Sequence, residues 1–208
     1  MDSIVVVDDR RLVGEAIAAF LVGSGLGAAA IPPPDIGRRV LGPGVALVSL
    51  GTASRGVHVA SLVSARRRVV VYGRWDERQV AEAVSQGAIG FVSGASSVVD
   101  LAAEVRAVLA GGGGFSAGER ARLVALAHEA RRAENGVARG LASLTPREGE
   151  VLDALLQGRR VADIAADSYV SVTTVRNQVQ SILTKLNVHS QLEAVAAAHR
   201  HRWDLEPR

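Results

Sequence analysis

Thr173, Asn177, Gln180 and Thr184 recur at intervals of three and four residues, flanked by Thr174, Arg176 and Ser181. On a helix they stack along one side. Hydroxyls, amides and a guanidinium in that pattern offer donors and acceptors without a nucleophile and its base, which is the chemistry of polar recognition. Long side chains such as Arg176, Asn177 and Gln180 near the start of a helix suit the base edges and phosphates of a DNA major groove. A second set is the Asp8-Asp9 pair at the end of the apolar run Ile4-Val-Val-Val7. Two adjacent carboxylates could hold a divalent cation beside a phosphate, could pair with Arg10, Arg11 or Arg74, or could face solvent; pairing or solvation is the reading favoured here.

The polar stripe needs a helix to carry it. Val175, Val179, Ile182, Leu183 and Leu186 recur at helical spacing on the opposite side, so Ser171 to Leu186 reads as one amphipathic helix with Ser171 as its N-cap. Upstream, Thr145-Pro-Arg-Glu148 is a capping box with proline at the first helical position, opening a helix that runs to Gly158. A shorter helix with Val161, Ile164 and Ala165 on its apolar side follows, and Tyr169-Val170 forms the turn. Ser190-Gln-Leu-Glu193 opens a last helix bearing Leu192, Val195, Ala196 and His199. The order is helix, helix, turn, helix, helix.

The strings Leu144-Thr-Pro-Arg-Glu, Ile164-Ala165, Val170-Ser171, Thr174-Val175-Arg176 and Ile182-Leu-Thr-Lys-Leu186 closely resemble the LuxR-type helix-turn-helix, over about residues 141 to 200. The resemblance implies that Thr173, Thr174, Arg176, Asn177, Gln180 and Lys185 face double-stranded DNA. This chain has Arg160-Val161 and Gln178 where the family usually has a small polar pair and a histidine.

Asp8-Asp9 need strands. Apolar β runs at Ile4 to Val7, Ala28 to Ile31, Val45 to Leu50, Val69 to Tyr72 and Ile89 to Val92 alternate with helical stretches. Those stretches lie near 12–21, 35–41, 57–65, 77–86 and 98–110. Apolar strands of this kind need burial on both faces, so the pattern predicts a five-stranded, parallel, doubly wound α/β domain followed by the all-α helix-turn-helix domain. Any ligand would sit at the strands' C-terminal ends. Gly111 to Gly114 should end the last helix of the first domain and free the chain. A linker helix at Ala117 to Arg132 and a hinge at Asn135 to Gly140 complete the partition into residues 1–112, 113–140 and 141–208.

The first domain resembles the receiver of two-component response regulators, through Asp8-Asp9 and Gly87-Ala-Ile-Gly90-Phe91. The whole chain is therefore similar to NarL/FixJ-type response regulators. That family's chemistry is phosphorylation of an aspartate at the end of the third strand. A magnesium ion on the acidic pair, a hydroxyl after the fourth strand and a lysine after the fifth assist it. Here Ser49, Gly73 and Gly94 stand at those three positions. Register cannot repair this, because no acidic residue lies between Asp35 and Asp76 and Lys185 is the chain's only lysine. Asp8, Asp9, Ser49, Gly73 and Gly94 thus form a degenerate phosphorylation pocket, for which no metal or other cofactor is expected.

Composition narrows the remaining classes. The chain has 208 residues, 48% of them hydrophobic, and no cysteine, which removes disulfides, thiol nucleophiles and zinc-thiolate sites. No apolar run approaches membrane length and no basic segment precedes an apolar one at Met1, so the expected location is cytoplasmic. Residues 141 to 208 carry eight basic and eight acidic side chains. DNA binding must then rest on the placement of Arg159, Arg160, Arg176 and Lys185, because this half carries no net charge. The reading is a DNA-binding regulator whose receiver half works without aspartyl phosphorylation, as a surface for homodimers or heterodimers. The alternative is a strand-end pocket that binds a small-molecule effector, and an enzyme is disfavoured for want of a nucleophile beside a base.

Overall fold

The computed structural model describes residues 3–33, 42–50, 57–201 and 203, which fall into two compact units, Met1–Glu129 and Ala130–Arg208. In the first unit, β1 (Ser3–Val7), β2 (Ala28–Ile31), β3 (Gly44–Ser49), β4 (Arg67–Gly73) and β5 (Ala88–Ser93) form one sheet in the order β2-β1-β3-β4-β5. Every neighbouring pair is parallel. The intervening helices are α1 (Arg11–Gly23), α2 (Val57–Ser64), α3 (Glu77–Ser85) and α4 (Val98–Leu109). The helical stretch expected at 35–41 lies outside the described residues.

Unbroken apolar strands dictate this layering. All six residues of the central strand β3 are buried, as a parallel sheet covered on both faces requires. On one face Val5, Val7, Val69 and Val71 pack with Val59 and Leu62 of α2 and with Val80 and Val84 of α3. On the other, Ile4, Val6, Val45 and Leu47 meet Ile17 and Leu21 of α1 and Leu101, Val105 and Val108 of α4. The strand order reverses direction between β1 and β3, which sets Asp8 and Ser49 beside the crevice where such sheets take ligands.

The expected joint at Gly111 to Gly114 is a fixed turn. Phe115 N–H donates to Ile89 O at 2.8 Å and Gly114 N–H to Glu104 Oε1 at 2.8 Å. A Cβ on Gly114 would stand 2.3 Å from Ile89 O, at a φ of +79° that side chains rarely adopt. Glycine here allows the backbone to lie against β5.

The expected hinge is helical as well. α5 runs unbroken from Ala117 to Ala142, through Asn135, Gly136 and Gly140. Leu123 and Ala127 of its first part belong to the core of the first unit, and Val137 and Leu141 to that of the second. Gly140 is there for packing: a Cβ would lie 2.2 Å from Lys185 O. A pattern of small residues that reads as loose in the sequence marks a close backbone approach.

The second unit continues with α6 (Pro146–Leu156), α7 (Val161–Asp167), α8 (Val172–Leu186) and α9 (Gln191–Arg200). Val151, Leu152, Ile164, Val175, Val179, Ile182, Leu186 and Ala194 form its core.

Candidate functional site

α8 carries the candidate nucleic-acid interface. Ser171 caps it by accepting from Thr174 N–H at 3.0 Å, and Asn187, in the left-handed conformation at φ 52°, ends it. The helix buries Val175, Val179, Ile182, Leu183 and Leu186. Its other side is left to solvent. Thr173, Thr174, Arg176, Asn177, Gln180 and Thr184 are exposed. The side chains of Thr173, Arg176, Asn177 and Gln180 bond to nothing among the described residues, so their donors and acceptors are available to a partner. Thr174 Oγ1 lies 2.8 Å from Ser171 Oγ, and Thr184 Oγ1 donates to Gln180 O at 2.9 Å. Gln178 is half-buried and outside this exposed set.

Lys185 is placed otherwise. Its Nζ lies 2.6 Å from Glu148 Oε2 and 3.1 Å from Ser143 O. Ser181, expected to flank the polar stripe, donates to Glu148 Oε1 at 2.6 Å. Glu148 is buried, and it also closes the capping box of α6 by accepting from Thr145 N–H at 2.7 Å and Thr145 Oγ1 at 2.9 Å. Burial opposes its charge, but the bonds from Lys185, Ser181 and Thr145 outweigh that and hold its pKa down at about 2. Arg159 is paired with Asp167, whereas Arg160, the residue before α7, is exposed. Two of the cations on which the sequence reading rested, Arg159 and Lys185, are thus engaged inside the unit.

Tyr169 escaped the site reading. It sits in the turn between α7 and α8, 97% exposed, in the left-handed region at φ 53°. In α9 the Ser190 cap accepts from Glu193 N–H at 3.2 Å, while Glu193 Oε2 accepts from His189 N–H at 2.9 Å. Leu192 is 79% exposed there, with half-buried Val195 and Ala196 along the same side.

At the strand ends of the first unit the structure brings Asp8, Ser49 and an unforeseen residue, Tyr72, together. Asp8 is buried and Asp9 exposed. Tyr72 Oη donates to Asp8 Oδ2 at 2.6 Å. Arg10 donates to Asp8 through its backbone N–H at 2.8 Å and through its guanidinium at 3.2 Å, once to each carboxylate oxygen. Of the partners open to the acidic pair, Arg10 is therefore the one Asp8 takes. Burial works against the Asp8 charge, but Arg10 and Tyr72 outweigh it and hold the carboxyl below its usual range. The Tyr72 phenol is pushed well above its ordinary value, first by burial and then by its bond to Asp8. Ser49 is buried, and the register of β3 with β4 sets it beside Tyr72. Gly94 N–H donates to Gly73 O at 2.6 Å, and a Cβ on Gly94 would stand 3.1 Å from the Gly73 carbonyl carbon. One signal for Tyr72 was present: a tyrosine at the end of a buried strand must find its hydroxyl a partner.

Residues 142–198 match the family model described as bacterial regulatory proteins, luxR family. Over 96% of this chain and 94% of the relative, the sequence is 32% identical to the probable transcriptional regulatory protein NarL of Mycobacterium tuberculosis. The chain belongs to the NarL-type response regulators. The transcriptional regulatory protein LiaR of Bacillus subtilis is 24% identical over 97% of this chain and 98% of its own. Full-length FixJ from B. japonicum, a solved structure, aligns over 97% of this chain and 98% of its own at 21% identity, with a TM-score of 0.44. As a NarL-type regulator with a luxR-family domain, the protein is a DNA-binding transcription factor. Among the described residues no helix is long and apolar enough to cross a membrane.

Proposed function

We propose that this regulator reads specific DNA sequences through Thr173, Thr174, Arg176, Asn177 and Gln180, and that its receiver half works independently of aspartyl phosphorylation. The observation that carries the second part is the closed cluster of Asp8, Arg10 and Tyr72. In a working receiver the acidic pair holds a magnesium ion against the phosphoryl group. Here the buried carboxylate of the pair is consumed by a guanidinium and a phenol hydroxyl, Asp9 is exposed, and Ser49 brings no further carboxylate. That donor set does not fit magnesium, which takes oxygen ligands and parts with its water reluctantly. The receiver then serves as a dimerisation or heterodimerisation module. Exposed Leu192, beside Val195 and Ala196 on α9, supports a second contact between copies in the DNA-binding half. The packed cluster of Asp8, Ser49 and Tyr72 favours this reading over a metabolite pocket.

Beryllofluoride with magnesium, or acetyl phosphate, tests the switch. Neither should change the DNA affinity or the sedimentation coefficient of the full chain, and a clear shift in either quantity overturns phosphorylation independence. For the recognition face, one good bidentate base contact is worth about 1–3 kcal/mol of discrimination. Arg176→Ala and Gln180→Ala should therefore weaken specific binding more than Arg120→Ala does. Equal losses on specific and random duplexes for all three would count against the face.

A further inference from the structure

We propose that Lys185 and Glu148 are a positioning pair for DNA reading, which fixes the roll and axial register of α8 against α6, so that Lys185 acts from inside the domain and not on a phosphate. The proposal rests on α8 being the reading helix, as argued above. Three observations carry it.

The first is how the donors of Lys185 are spent. Its ammonium has three N–H groups; one goes to Glu148 Oε2 at 2.6 Å and one to Ser143 O at 3.1 Å. The side chain is 30% exposed. Releasing it to a phosphate would strip a buried carboxylate of its counter-charge, and an unpaired buried charge is costly.

Glu148 supplies the second. Its Oε2 takes Thr145 N–H, Thr145 Oγ1 and Lys185 Nζ, and its Oε1 takes Ser181 Oγ. One carboxylate therefore joins the N-cap of α6 to two points on α8. That carboxylate is buried in the protein.

The third observation is the spacing of those two points. Ser181 and Lys185 are four residues apart, one turn along the same side of α8. Two directional bonds a turn apart resist rotation about the helix axis as well as sliding along it. The apolar seam of Val175, Val179, Ile182 and Leu186 keeps α8 in place but is non-directional. Recognition sites must hold their side chains within roughly 10–20° of the productive geometry. Arg176, Asn177 and Gln180 project from the same rigid helix, so the roll that Glu148 sets is the roll at which they meet base edges.

The variants that test this are Lys185→Met, Lys185→Arg and Glu148→Gln in the full chain. Glutamine at the third helical position can still close a capping box, so Glu148→Gln removes the charge pair while keeping the cap. Each would be titrated, from low to moderate KCl, against a duplex enriched by the unaltered chain from a random pool and against random duplex. Lys185→Met and Glu148→Gln should each lose about tenfold in affinity for the selected duplex and stay within about twofold on random DNA. The salt slope should be unchanged. Lys185→Arg should restore most of the loss, and the Lys185→Met/Glu148→Gln double variant should be no worse than either single one, since both break one interaction.

The proposal is overturned if Lys185→Met lowers the salt slope by about 0.9, the signature of one lost phosphate contact, while Glu148→Gln binds as the unaltered chain does. It is equally overturned if neither variant changes discrimination, or if Val151→Ala, a core substitution that also lowers the melting temperature, loses discrimination to the same extent. Arg176→Ala separates this from the reading beneath it. Unchanged discrimination in that variant sinks the recognition face itself, whatever the pair does.

Discussion

Tyr72→Phe tests whether a phenol hydroxyl closes the strand-end cluster. The ring, buried in the sheet core, keeps its packing, so the substitution removes one oxygen: the donor 2.6 Å from Asp8 Oδ2. A hydrogen bond to a charged group contributes about 1.5–3 kcal/mol. Asp8 retains three bonds from Arg10 and is not orphaned, so the loss should fall at the low end, about 1.5–2 kcal/mol. With a urea m-value of about 2 kcal/mol/M, the midpoint of the first unit should fall by about 0.8–1 M. Trp75 packs edge-on to Phe91 within that unit, at 4.9 Å between ring centroids, so its fluorescence follows the transition.

The effect should depend on pH at both ends. The folded pKa of Asp8 is depressed, so its contribution is present above the unfolded value of about 3.9 and is lost as pH falls through the folded one. The folded pKa of Tyr72 is raised; its contribution is complete below the unfolded value of about 10 and declines as pH rises beyond it. The difference between the unaltered chain and Tyr72→Phe should therefore be flat from about pH 5 to 9 and shrink outside that range. A loss under about 0.5 kcal/mol at pH 7, or one that is the same at pH 3 and pH 7, would refute the hydroxyl–carboxylate bond as the closing element.

Gly140→Ala should destabilise the second unit by about 3 kcal/mol or more, because the new Cβ would meet the backbone oxygen of Lys185 at 2.2 Å, and backbone cannot give way as a side-chain end can. Thermal unfolding followed through Trp203, in the same unit, reads this, and an unchanged melting temperature would contradict the close packing. Tyr169→Gly should stabilise the unbound protein by about 1 kcal/mol, since a bulky residue at φ 53° is strained and this one has almost no contacts to lose. A fall in the melting temperature would show that the tyrosine is anchored.

Local signals were decided within a few residues of sequence, and these were legible. The capping box at Thr145 to Glu148, the Ser171 cap and the apolar seam of α8 need only neighbours three and four positions away, so the sequence placed those elements to within a residue or two. The strands followed from apolar runs that could be satisfied only inside a parallel sheet. The absence of a switch lysine or a third-strand acid was a matter of composition, which no fold can alter.

Tertiary structure decided how each polar group is spent. Tyr72 and Asp8 are 64 residues apart, and Lys185 and Glu148 are 37 apart. No local rule connects such pairs, because helix and strand periodicity fixes which way a side chain points but not what it meets. The glycines at 114 and 140 show the same limit: permissive residues read as freedom in the sequence, and packing turned them into close backbone contacts. Sequence alone marked an amphipathic helix with a polar face in the luxR-family half, and a five-stranded first half with Ser49 at the end of its third strand and no lysine before Lys185. The fold decided that Lys185 and Ser181 of that helix bond inward to Glu148, and that a tyrosine on β4 closes the receiver's carboxylate.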